Sequence, residues 1–71
     1  MTEFCLRLKE LRVSRAYAQR ELAEMIGISL RAYQRYESGD REPGIPALIK
    51  LADFYGISID ELLGRTDLST L

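Results

Sequence analysis

The sequence predicts an all-α fold, one small domain of five short helices. Three observations point there. Gly27, Gly39, Pro43-Gly44, Pro46, Gly56 and Gly64 cut the chain into short stretches. Within those stretches apolar residues recur every three or four positions and do not alternate. Residues that start helices stand just ahead of several stretches. A length of 71 residues allows one domain and a simple core. A composition of 46% apolar and 30% charged residues is that of a folded chain, not a disordered one.

Phe4, Leu8 and Leu11 follow i, i+4, i+7 spacing, which predicts an amphipathic helix over residues 3–13. Leu22, Ala23 and Ile26 repeat that pattern over 19–26, and Gly27 supplies the left-handed position that ends a helix. Ser29 is the N-cap of a third helix over 30–38, closed by Gly39; Tyr33, Tyr36 and Glu37 share its inward face. Pro46 stands in the first turn of a fourth helix over 45–55, where its missing N–H costs nothing. Leu48, Leu51, Ala52 and Tyr55 form that helix's buried stripe, and Gly56 stops it. Ser58-Ile59-Asp60-Glu61 is an S-x-x-E capping box opening a last helix through Leu63, which Gly64 ends. Residues 1–64 are thus the domain, with 65–71 expected to be a fraying tail.

Several chemistries are excluded by composition. The chain has no His and one Cys, so it offers no imidazole base, no internal disulfide and no His/Cys metal set. Cys5 reads as a small half-buried residue. No nucleophile–base pair or phosphate-cradling glycine loop is present, so no enzyme, cofactor or small-molecule ligand is expected. No apolar run is long enough to cross a membrane, and an acidic residue stands where a secretory signal needs basic ones. The lone Cys fits a reducing, cytoplasmic compartment. The net charge is −1, but residues 1–42 carry net +1 and residues 43–71 net −2. The basic half is mostly arginine: Arg7, Arg12, Arg15, Arg20, Arg31, Arg35 and Arg41.

Residues 19–38 are the informative segment. Two helices are joined only by Gly27-Ile28-Ser29, so they must cross steeply. That crossing needs a small residue at the close approach (Ala23), a left-handed corner (Gly27) and apolar packing at the angle (Leu22, Ile26, Ile28). This is a physical description of a helix-turn-helix, whose second helix enters the DNA major groove.

The residues Gln19, Glu21-Leu22-Ala23, Ile26-Gly27-Ile28-Ser29, Arg35-Tyr36-Glu37-Ser38-Gly39, Pro43, Leu48-Ile49-Lys50-Leu51-Ala52 and Asp60-Glu61-Leu62-Leu63-Gly64 extend the pattern over roughly residues 4–64. In these the chain resembles the lambda-Cro/repressor-type, or XRE, helix-turn-helix domains. The resemblance implies a lambda-repressor-like fold and a sequence-specific DNA-binding regulator of transcription, of bacterial or phage type. It also implies that Arg12 and Glu37 form an ion pair. Glu37 faces inward, and a buried carboxylate needs such a partner.

The helical wheel of residues 30–38 turns Arg31, Arg35 and Ser38 outward when Tyr33, Tyr36 and Glu37 point in; Gln34 flanks them and Leu30 lies between the faces. Arg31 and Arg35 repel mildly at i, i+4, and a polyanion would reverse that penalty. Both are candidate base or phosphate readers, since arginine pairs bidentately with guanine O6 and N7. Gln34 is a candidate adenine reader. Leu30 either meets a thymine methyl or packs on Tyr33. The alternative for the polar group as a whole is a solvated helix face.

By the resemblance Gln19 approaches both the phosphate backbone and the recognition helix, while Ser38 and Arg41 lie in the loop that touches phosphates. Arg20 and the cap residue Ser29 complete the phosphate-contacting set. Four residues depart from the family pattern. Ala18 replaces a Ser or Thr cap, at an expected local cost of about 0.5–2 kcal/mol. Tyr33 replaces Ile or Val, so the core is expected to widen or the hydroxyl to reach water. Asp40 and Glu42 place acid beside the phosphate path and should weaken non-specific binding.

One module reads only a few base pairs, so a homodimer on double-stranded DNA is expected. Leu62, Leu63, Leu68 and Leu71 are candidates for its pairing surface, with Leu62 and Leu63 equally suited to the core. The competing reading is an antitoxin or a protein-interaction module on the same fold.

Overall fold

The computed structural model describes the backbone of residues 2–64 and the side chains of residues 4–64. Five helices follow one another: α1 (Thr2–Ser14), α2 (Gln19–Ile26), α3 (Leu30–Ser38), α4 (Ile45–Tyr55) and α5 (Ile59–Leu62). Among the described residues there is no strand. The bounds of α2, α3 and α4 are those the sequence predicts. Helix α1 is one residue longer at each end, and α5 stops at Leu62 because Leu63 is already its C-cap.

Glycines end α2, α3 and α4 in left-handed conformation, as their positions in the sequence imply. At Gly39 two demands coincide. Its φ is +86°, and a Cβ there would stand 3.4 Å from the Cys5 sulfur. The end of α3 thus closes directly onto α1, and Cys5 is a half-buried packing residue. Helix α1 ends without glycine. Ala16 takes φ 60°, and the Tyr17 N–H reaches back to the Arg12 carbonyl at 3.2 Å. An L-residue in that region costs about 1–2 kcal/mol.

The core gathers Phe4 and Leu8 of α1, Leu22, Ala23 and Ile26 of α2, Tyr33 and Tyr36 of α3, Leu51, Ala52 and Tyr55 of α4, and Leu62 of α5. Every helix contributes, so none is stable without the others. Helix α1 is less amphipathic than its Phe4–Leu8–Leu11 spacing suggests. Leu6 and Val13 lie on its outer side, 58% and 56% exposed. Tyr17, in the α1–α2 link, meets the Phe54 ring at 5.6 Å, and the Arg15 guanidinium lies 5.3 Å from the Tyr55 ring centroid. Leu62 is fully buried and so belongs to the core, while Leu63, the C-cap of α5, packs half-buried against it. Leu68 and Leu71, with the rest of the predicted tail, lie outside the described residues.

Candidate nucleic-acid interface

The corner between α2 and α3 is built from three residues. Gly27, at φ 77°, donates its N–H to the Ala23 carbonyl at 3.0 Å, and Ile28 donates to the same carbonyl at 3.0 Å. These bonds satisfy a carbonyl that the end of α2 would leave unpaired. Ser29 then starts α3 at once, its hydroxyl accepting the Ala32 N–H at 3.1 Å. Ile28 packs on the core beneath the bend. The chain has no spare residue with which to straighten, so α3 is held against α2 and α1 by its inner face alone.

That inner face is polar at one point. Glu37, whose side chain is 5% exposed, receives four hydrogen bonds. Arg12 donates Nε to Oε2 at 2.7 Å and Nη2 to Oε1 at 3.0 Å, the bidentate geometry that suits guanidinium and carboxylate. The Tyr33 hydroxyl donates to Oε2 at 2.5 Å, and Gln19 Nε2 donates to Oε1 at 3.1 Å. Arg12 is itself steadied by donating Nη1 to the Tyr17 carbonyl at 2.8 Å. Burial by itself would push the Glu37 carboxyl up. The hydrogen bonds from Arg12, Tyr33 and Gln19, with the charge of Arg12, outweigh it and hold the group below its ordinary range. The bond to Glu37 raises Arg12 in turn.

The expected Arg12–Glu37 pair is therefore present. The expectation for Tyr33 is corrected. The side chain is fully buried, and its hydroxyl goes to neither a widened core nor water. It finds the carboxylate one turn along its own helix, which leaves the tyrosine ring free to act as core.

On the opposite side α3 exposes Arg31, Gln34, Arg35 and Ser38, as the helical wheel requires. Among the described residues neither the Arg31 nor the Arg35 guanidinium has a carboxylate within ion-pair distance, since Arg12–Glu37 is the one pair present. Leu30 is half-buried at the start of the helix. Gln34 donates Nε2 to Gln19 Oε1 at 3.3 Å, so Gln19 does approach the second helix. Arg20 is exposed on α2, and the Arg41 side chain is exposed in the loop after α3. Ser38 is the last residue of α3 and not part of the loop. Its hydroxyl donates to the Arg35 carbonyl at 3.1 Å and accepts the Asp40 N–H at 3.4 Å.

Two bonds to Glu37 are absent from the sequence reading. The Tyr33–Glu37 bond is available from i, i+4 spacing on one helix. The Gln19–Glu37 bond joins α2 to α3 and no local spacing announces it. Among the described residues no group of side chains is placed to hold a metal ion, and no helix is long and apolar enough to cross a membrane.

A short α2, a three-residue corner and an α3 with its arginines outward define the helix-turn-helix class. Residues 8–62 match the helix-turn-helix family, and the chain belongs to it. A crystal structure of a transcriptional regulator from Listeria innocua superposes with a TM-score of 0.81 at 33% identity, over 94% of this chain and 67% of that one. Among curated proteins, an uncharacterized SPbeta prophage-derived HTH-type transcriptional regulator of Bacillus subtilis, YonR, is 42% identical over 60 residues, 84% of this chain and 56% of its own. The cryptic phage CTXphi transcriptional repressor RstR of Vibrio cholerae is 53% identical over 47 residues, 66% of this chain and 42% of that protein. The chain thus spans about half the length of the curated relatives it matches.

Proposed function

We propose that this chain is a sequence-specific DNA-binding module of a bacterial or phage transcriptional regulator, with α3 lying in the major groove. The observation that carries the reading is the outward row of Arg31, Gln34 and Arg35 on a helix fixed from behind by Glu37. Two guanidiniums one turn apart, unpaired among the described residues, repel each other in solution and suit a polyanion. Arg31 and Arg35 reach guanine edges or phosphates, Gln34 reads adenine, and Leu30 touches a thymine methyl at the helix start. Gln19, Arg20, Ser29, Ser38 and Arg41 contact the flanking phosphates. The regulator names of the relatives support the assignment.

The module acts as a homodimer on two half-sites in the cytoplasm and performs no catalysis. With Leu62 committed to the core, pairing draws on other surface. Selection of bound sites from a random duplex pool tests the reading. It is expected to return guanine-containing half-sites spaced by one helical turn, with affinity falling steeply as salt rises. An unenriched pool contradicts it. Sedimentation with and without the selected duplex tests pairing, and one copy bound per two-half-site duplex at saturation contradicts it.

A further inference from the structure

The polar chain that begins at Glu37 ends on the outer face of α3, and its chemistry has a direction. An ionised carboxylate only accepts hydrogen bonds and offers about four sites for them. Arg12 fills two of those sites, Tyr33 a third and Gln19 the fourth. The end of the Gln19 amide that faces Glu37 must then be its NH2. Its carbonyl oxygen turns the other way, toward Gln34, and Gln34 can meet that oxygen only as a donor, as it does at 3.3 Å. Flipping the Gln19 amide would set its oxygen against the carboxylate, and flipping Gln34 would set carbonyl against carbonyl.

We infer that Glu37, with three acceptor sites filled by Arg12 and Tyr33 and the fourth turned to Gln19, is a positioning residue that fixes the amide orientation of Gln34 through Gln19, leaving Gln34 its carbonyl oxygen and one N–H for the groove. That pair complements adenine, which presents the N6 amino donor and the N7 acceptor. Guanine presents two acceptors, O6 and N7, and would need both N–H groups of Gln34, one of which is engaged. The base preference of Gln34 is thereby set from the core. The adenine consequence rests on the proposed major-groove reading, whereas the orientation itself belongs to the free protein.

Two measurements on the same variants separate these. The first follows the Gln34 side-chain amide by 15N relaxation in the free chain, in wild type and in Gln19→Met, which keeps the length of the side chain and removes both bonds. The Gln34 amide is expected to be ordered in wild type and to gain the mobility of a free side chain in Gln19→Met. The second compares duplexes that differ only as A or G at the base pair where Gln34→Ala loses its preference. Wild type is expected to favour adenine about tenfold there, and Gln19→Met and Glu37→Gln to fall within about twofold of no preference, with preferences at other base pairs kept in Gln19→Met.

An equally mobile Gln34 amide in wild type and Gln19→Met overturns the inference. So does an adenine preference that survives Gln19→Met. An ordered Gln34 amide with no base pair sensitive to Gln34→Ala upholds the relay and removes the base-reading role of Gln34 instead. If Glu37→Gln fails to fold, Gln19→Met carries both measurements.

Discussion

Tyr33 and Tyr55 place the same side chain in two environments. Each is buried, 0% and 5% exposed, and burial raises the pKa of both hydroxyls, that of Tyr55 to about 12. Both remain protonated donors at neutral pH. The Tyr33 hydroxyl spends its proton on Glu37, whereas among the described residues the Tyr55 hydroxyl has no hydrogen-bond partner. A hydrogen bond to a charged group contributes about 1.5–3 kcal/mol, and an unpaired buried hydroxyl contributes nothing to offset its desolvation. Urea denaturation should therefore find Tyr33→Phe destabilised by about 1.5–3 kcal/mol. Tyr55→Phe should be neutral or more stable by up to about 1 kcal/mol. Equal losses in the two variants would contradict this assignment of their hydroxyls.

At the scale of the helix, α2 and α5 form a matched comparison. In α5 the capping box is complete. The Ser58 hydroxyl accepts the Glu61 N–H at 3.0 Å, and the Glu61 carboxylate accepts the Ser58 N–H at 2.9 Å. In α2 only half of it exists. Glu21 accepts the Ala18 N–H at 2.8 Å, but the alanine has no oxygen to return the bond. Ala18 already holds the extended conformation of a cap, φ −77° and ψ 156°. Ala18→Ser should raise stability by about 0.5–2 kcal/mol in thermal or urea unfolding; an unchanged midpoint would show that α2 starts differently.

The same comparison explains what the sequence made legible. Helices α2 to α4 could be bounded because glycine, serine and proline stand at their ends with little ambiguity, whereas α5 ends one residue before the Leu63 that its capping box and Gly64 suggest. The end of α1 could not, because Ala16 occupies a left-handed position that glycine would have announced. Spacing alone placed Arg31 and Arg35 outward and Glu37 inward. The partner of Glu37 came from the family pattern, and the Gln19–Gln34 contact needed the packing of α2 on α3, which no local rule supplies. Leu62 suits core and interface equally by spacing, and only the packing of α5 commits it to the core.

For the whole molecule, Glu37 links the two functions of the fold. It ties α1 to α3 through Arg12 and sets the face that α3 presents. Its carboxyl is lowered on folding, so the stability it contributes is complete above the unfolded carboxylate range. That contribution is lost as pH falls through the lower folded value. Unfolding free energy should be level at neutral pH and begin to decline below about pH 4.5. In Glu37→Gln the decline should be shallower across that window. Parallel profiles in the two proteins would place the acid sensitivity elsewhere.

The outward arginines of α3 are the groups on which base reading depends. Binding of Arg31→Ala, Arg35→Ala and Arg41→Ala to the selected site and to its single-base variants measures this directly. Each α3 variant is expected to lose about 1–3 kcal/mol and to relax preference at its own base pair. Arg41→Ala is expected to weaken every sequence alike. Unchanged affinity and unchanged base preference in both α3 variants would contradict the assignment of α3 as the reading helix.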